Sequence, residues 1–266
     1  MTSAAMTYQV QAYNLSHASE NRIHDDATAQ RFGFTGGLVP GVEVFAYACH
    51  PAVEHWGRGF LERGTIACAF HKPVYDGRIA TVTATPEGDG LSLRVESEGA
   101  LCATGRARLA ENAAPDANAW PEATPPAERP AAGDQTLAPG RALGTRALPL
   151  TEETLATYLR DARETDPLYA AEGVAHPGLI LRMANRLLTE NLVLGPWIHV
   201  GSEVRFLGLA RRGESLSARA RIRSNIERKG HRIVSLDALV LADGRPMAHV
   251  THDAIWRPRQ VTEAGG

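Results

Sequence analysis

The chain has 266 residues, 44% of them apolar, with 28 basic and 30 acidic side chains and a formal net charge of -2. That length admits one large domain or two small ones, and the charge balance gives no electrostatic case for nucleic acid or an anionic membrane as a partner. Cys49, Cys68 and Cys102 form no CxxC pair, no basic-then-apolar leader opens the chain, and no run approaches about 18 apolar residues, so a cytoplasmic protein outside the membrane is expected.

The first predicted element is a strand over TYQVQAYNL, followed by the polar loop SHASENRIHDD. Asp26 is expected to cap a short helix through ATAQRF that stops at Gly33. TGGLVPG is too rich in Gly and Pro for a regular element. From Val42 the chain turns apolar, and Val42, Phe45, Ala46, Cys49 and Val53 recur at helical spacing. Apolar residues also cover much of the remaining circumference, which predicts a largely buried helix, with Pro51 expected to bend or interrupt it. Four strands should follow over TIACAFHKPV, RIATVTATPE, LSLRVESEG and ALCATGRARL, punctuated by glycines. These elements make a first domain of residues 1–110.

Residues 111–142 change character. The Ala/Pro-rich run has no period, and proline stiffens it against helix formation. It reads as an extended connection, with Trp120 able to anchor it on the other domain. Residues 143–266 then repeat the first plan: a strand over RALGTRALPL, a short helix opened by Thr151, and HPG leading into LILRMANRLLTENL, where Leu179, Met183 and Leu187 share a face. Four more strands complete the copy. Phe70 and Gly77 match Phe206 and Gly213 at one constant offset. Ahead of the helix the first copy carries NRIH, ending in His24, and the second DPLY, ending in Tyr169. An imidazole moves protons near neutral pH and a phenol mostly does not, so proton transfer belongs to the N-terminal half.

The motif SENRIH at 19–24, GGLVPG at 36–41 ahead of the helix, the Phe70…Pro73…Gly77 segment, and their partners His176-Pro177-Gly178 and Phe206…Gly213 resemble the MaoC-like (R)-specific enoyl-thioester hydratases and dehydratases of the hotdog fold. The resemblance covers most of both halves but not the connection. It implies an α+β double hotdog, two curved antiparallel sheets forming one continuous sheet around two long central helices. Asn21, Ile23 and His24 fit the hydratase motif, whereas Arg22 stands where proline is usual, and Ser19 where the catalytic aspartate is usual. The family's His-Gly pair at the helix start is here Pro40-Gly41. The resemblance further implies a lyase acting on a coenzyme A or carrier-protein thioester, with the second half making room for the acyl chain.

Hydration of a conjugated thioester needs a base for water, a proton donor to the α carbon, and something to meet charge on the thioester oxygen. His24 suits the base; Ser19 can hold a water, Asn21 can hold a substrate amide or the loop itself, and Asp25 can orient the histidine or act as the missing acid. Gly41 opens the central helix, where the unpaired N–H groups of a first turn favour developing negative charge. Glu43, Tyr47, Tyr169 and His176 are further candidates for the substrate pocket, Glu43 also as an acid or as a favourable charge at the helix N-terminus. The histidines lack metal-ligand spacing, and neither a metal nor a cofactor is expected. Three other functions remain open. They are thioester hydrolysis by Asp25 or Glu43, non-catalytic acyl binding, and dehydration or isomerisation of a non-thioester metabolite. A homodimer is also left open.

Overall fold

The computed structural model describes residues 4–16, 20–111 and 113–259. In the first half, β1 (Met6–Gln11) leads through a 3-10 turn at Arg22–His24 and α1 (Asp26–Arg31) into α2 (Gly41–Trp56). A short α3 (Arg58–Arg63) precedes the meander β2 (Gly64–Phe70), β3 (Ile79–Glu87), β4 (Gly90–Ser97) and β5 (Ala100–Leu109). The second half holds β6 (Ala142–Gly144), β7 (Leu148–Pro149), α4 (Glu152–Asp161), α5 (Leu168–Glu172) and α6 (Pro177–Thr189). It ends in β8 (Ile198–Phe206), β9 (Ser215–Arg228), β10 (His231–Ala242) and β11 (Arg245–Arg257).

These strands form one antiparallel sheet in the order β1-β3-β4-β5-β2-β8-β11-β10-β9-β6, with β7 also on β9. The seam between the halves is β2 against β8, with Thr65 opposite Arg205 and Ala69 opposite Gly201. Joining there removes one exposed edge from each half. Alternation places Ala80, Val82 and Ala84 of β3, and Leu216, Ala218, Ala220 and Ile222 of β9, in the core beneath the helices. The α2 and α6 helices pack on each other and on this sheet.

Every residue from Val42 to Cys49 is buried, so α2 is a core helix rather than an amphipathic surface one. It runs unbroken through Pro51, contrary to the expected interruption. Proline forfeits one backbone hydrogen bond, but burial of Ala52 and Val53 holds the last turns to the core. The sequence repeat has a backbone counterpart. Leu38 bridges Tyr75 as Val174 bridges Arg211. Gly77 and Gly213 close the equivalent turns at φ of 73° and 94°, a conformation that glycine adopts without steric cost.

The connection lies across the second half. Trp120 packs edge-on to His249 at 5.5 Å with Arg221 over its ring, Arg219 reaches the carbonyl of Ala117 at 3.1 Å, and Ala132 N donates to Val193 O while Val193 N donates to Pro130 O. Leu137 is fully buried. No helix among the described residues is long and apolar enough to cross a membrane.

Candidate functional site

The loop that carries His24 is built on buried polar side chains. Asn14, fully buried, takes a hydrogen bond from Ser16 N and donates to the carbonyl of His24 at 2.9 Å. Asn21 grips the other half of the molecule: Nδ2 donates to Trp197 O at 2.9 Å, and Trp197 N donates to Oδ1 at 3.2 Å. Its amide therefore holds the loop to the start of β8. His24 Nδ1 lies 2.7 Å from the carbonyl of Leu38, which can only accept, so Nδ1 carries the proton and Nε2 is the basic nitrogen. Asn21 Nδ2 approaches that Nε2 at 3.3 Å.

Two cavities, of about 450 Å³ and 620 Å³, meet at this imidazole: Asn21, His24, Asn185 and Trp197 line both. The first is walled by Phe32, Phe34, Leu38, Val44 and Phe70 and reaches Gly41; the second is lined by Thr154, Thr157, Arg182 and Arg186. Gly41 opens α2, where Glu43 N and Val44 N turn back to the Pro40 carbonyl. The first-turn N–H groups of a helix have no intrahelical acceptor. Both helix starts are tightly covered: a Cβ on Gly178 would stand 2.0 Å from the hydroxyl of Tyr158, and one on Gly41 would stand 2.7 Å from His199 Nδ1.

The other expected site residues are placed elsewhere. Ser19 lies outside the described residues. Asp25, rather than Asp26, caps α1 by accepting from Thr28 N at 3.0 Å, since the helix begins one residue earlier than expected. Asp26 accepts from Gly37 N at 2.6 Å. Tyr47 lines neither cavity; its hydroxyl accepts from Tyr13 N, and burial pushes its phenol up to about 12. Glu43 borders the second cavity, fully buried, with Oε1 2.6 Å from Arg182 and Oε2 accepting from Tyr158 at 3.0 Å. Tyr169 and His176 also lie outside both cavities, because the second half fills the equivalent space with aromatic rings. Tyr169 packs on His176 at 4.6 Å, and His176 caps α6 through Nδ1, which accepts from Gly178 N.

His176 belongs to a buried cluster that joins the two halves. Glu164 receives His176 Nε2 on one oxygen at 3.0 Å and His50 Nδ1 on the other at 2.7 Å. Burial acts to raise this carboxyl's pKa, but the two imidazole hydrogen bonds outweigh it and hold the group well below the usual carboxylate range. A depressed folded-state pKa contributes stability that is present above the unfolded value, near 4.5, and is lost as pH falls below it. Thermal melts from pH 7 to pH 3 are therefore expected to show a steeper acid loss of stability for the parent than for Glu164→Gln. Parallel curves would assign the acid loss to other carboxylates.

Asn185, Trp197 and His199 are site residues that the sequence reading did not single out. One signal was available: Arg182, Asn185 and Thr189 form a polar stripe at helical spacing on an otherwise buried helix. Asn185 Oδ1 is sealed from solvent and has no hydrogen-bond partner, at the junction of the two cavities. Buried acceptors of this kind are uncommon without a ligand or water to serve them.

No protein-family model and no curated protein matches the chain. Solved structures do. A Chloroflexus aurantiacus J-10-fl protein assigned to the MaoC domain dehydratases superposes with a TM-score of 0.66 at 10% identity, covering 97% of this chain and 96% of that one. A conserved Mycobacterium tuberculosis protein described as a double hotdog superposes at 0.64 with 15% identity, covering 95% and 96%. The fold is a double hotdog. The architecture is shared across differing assigned chemistry, for a Lactobacillus plantarum protein assigned as an oleoyl thioesterase also superposes, at 0.50 with 12% identity over 96% and 97% of the two chains.

Proposed function

We propose that the protein is a MaoC-like hydratase/dehydratase of enoyl and 3-hydroxyacyl thioesters. The observation that carries this reading is His24, whose Nδ1–H is committed to Leu38 and whose basic Nε2 stands where two cavities meet, with the first turn of α2 lining one of them. In the hydration direction His24 Nε2 takes a proton from water as the water oxygen bonds to C3 of the enoyl group. The electron pair of the double bond moves toward the thioester oxygen, where the N–H of Gly41 meets the developing charge. His24 then returns the proton to C2, so one base serves both steps on one face of the substrate.

The apolar cavity suits the acyl chain, and the polar one suits the pantetheine arm of coenzyme A or a carrier protein. Asn185 Oδ1, sealed in the unliganded protein, then turns into the junction to accept from an amide N–H of that arm. Replacing Asn185 by leucine is expected to raise KM by up to about tenfold with a smaller change in kcat, the size of one lost hydrogen bond. A fall in kcat alone would place Asn185 in the chemical step instead.

Hydrolysis is the second reading, and it is less favoured: Glu43 is bound to Arg182 and Tyr158, and Asp25 to the first turn of α1. The deciding assay follows crotonyl and longer enoyl thioesters by loss of the conjugated absorbance, with free thiol measured in parallel. Hydration without thiol release is expected. Thiol release would replace this reading by hydrolysis, and binding without either change would replace it by an acyl-binding role.

A further inference from the structure

The two cavities differ in charge. Glu43, Glu153 and Asp161 line the second, beside Arg182 and Arg186. Both of those arginines are bound to carboxylates, Arg182 to Glu43 at 2.6 Å and Arg186 to Glu190 at 2.5 Å. The apolar cavity is lined by Lys72 and Arg259 and by no aspartate or glutamate. Both of these side chains are exposed, so they stand where the cavity meets solvent. Neither has a carboxylate partner among the described residues.

The two cations come from opposite halves, each two residues past a strand. Lys72 follows β2, where His71 N and Lys72 N both donate to the Cys102 carbonyl, at 2.8 Å and 3.4 Å. Arg259 follows β11, and its stem lies against Gly230 in the turn between β9 and β10. Its backbone N–H donates to His231 Nδ1 at 3.1 Å, which leaves the neutral His231 ring with its proton on Nε2. Burial first, and then the charge of Arg259, lowers the His231 pKa and keeps that ring neutral at pH 7. His231 lines the same cavity. The apolar cavity therefore runs from His24, past Phe32, Phe34 and Phe70, to a mouth with two cations and a neutral N–H donor. Apolar walls focus the field of charges of one sign and favour an anion there. A hydrocarbon chain end offers these cations nothing.

We propose that the acyl chain of the substrate ends in a carboxylate, which Lys72 and Arg259 receive at the mouth of the apolar cavity; this rests on the hydratase reading above and its placement of the acyl chain. The substrate class is then an enoyl or 3-hydroxyacyl thioester of a dicarboxylic acid. Its thioester end lies at His24, and its free carboxylate meets cations contributed by both halves. The methylene groups between them lie along the phenylalanine walls. A chain too short to span the cavity would leave its carboxylate unpaired among apolar groups, which is unfavourable. Carboxyl-ended chains are therefore expected to show a length optimum.

The test compares saturated coenzyme A thioesters, which cannot be hydrated, by calorimetry. Methyl-ended and carboxyl-ended chains are matched in length: butyryl with succinyl, hexanoyl with adipoyl, octanoyl with suberoyl, decanoyl with sebacoyl. At the best length the carboxyl-ended thioester is expected to bind about threefold to tenfold more tightly, the range of two solvent-exposed ion pairs. Lys72→Met and Arg259→Met should each reduce that ratio, the double substitution should abolish it, and added salt should weaken it. Hydration of the matched 2-enoyl thioesters should show the same preference in KM. Pantetheine thioesters, which lack the phosphates, separate the other source of negative charge. If the substitutions weaken coenzyme A thioesters but not pantetheine thioesters, whatever the chain end, the cations serve phosphate and the proposal is overturned. A ratio of one at every length, or a preference that survives the double substitution, also overturns it, while hydration of methyl-ended chains would keep the hydratase reading. Binding and hydration of neither series overturn both.

Discussion

His24→Ala is expected to lower kcat/KM on the enoyl thioester by roughly 10²–10⁴-fold, the usual contribution of a general base. The fold should survive. The residue is half-buried in a 3-10 turn, and its loss removes the side-chain hydrogen bonds to Leu38 O and from Asn21 Nδ2, each worth about 1 kcal/mol. The loop retains its other ties, through Asn21 to Trp197 and through Asn14 to the His24 carbonyl. The loss should fall mainly on kcat, because His24 acts on the water rather than on the thioester. Steady-state kinetics beside a thermal melt separate the two effects. Near-parental kcat/KM in a folded variant would remove His24 from the chemistry.

Arg182→Ala is expected to give the largest stability loss of any single change at the cavities, about 3 kcal/mol, or a fall in Tm on the order of 10 °C. Glu43 is fully buried between the halves, and its carboxylate is compensated by Arg182 of α6 and by the Tyr158 hydroxyl of α4. Removing the guanidinium leaves a buried charge with one neutral donor. The pair Glu43→Gln with Arg182→Met should recover much of the loss, since a buried ion pair exchanged for neutral groups of similar volume is often close to neutral. A melt of Arg182→Ala matching the parent would show that Glu43 does not depend on its partner. It would return the carboxylate to consideration as an acid for hydrolysis.

Much of the architecture was legible because it is periodic. Burial on both sides of α2 follows from an apolar run with helical spacing, and the strands follow from alternation between glycine-rich turns. Gly77 and Gly213 repeat because both close a turn at positive φ. Two short helices were not legible: α3 lies in a glycine-interrupted segment, and the single turn of α5 carries too few residues for a period to show. The polar residues were harder to read, since their meaning depends on partners far along the chain. Asp25 and Asp26 are adjacent, and which one caps α1 turns on a shift of one residue in the helix start.

The sequence by itself determined the duplicated plan, the buried helix, and the confinement of the NRIH motif to the first half. The helix shows in residue type and local spacing, and the duplication in one constant offset between the halves. Only the tertiary structure decided what faces His24. Asn185 arrives from α6, Trp197 is clamped by Asn21 across 176 residues of chain, and a bulge at Val200 turns His199 inward where strict alternation would have turned it out. The same closure assigned Glu43 to Arg182, 139 residues away, and buried Tyr169 and His176 in a packed cluster behind the second helix. Such contacts bring together side chains whose separation in sequence carries no period and no local propensity, so only the packing of one half on the other reveals them.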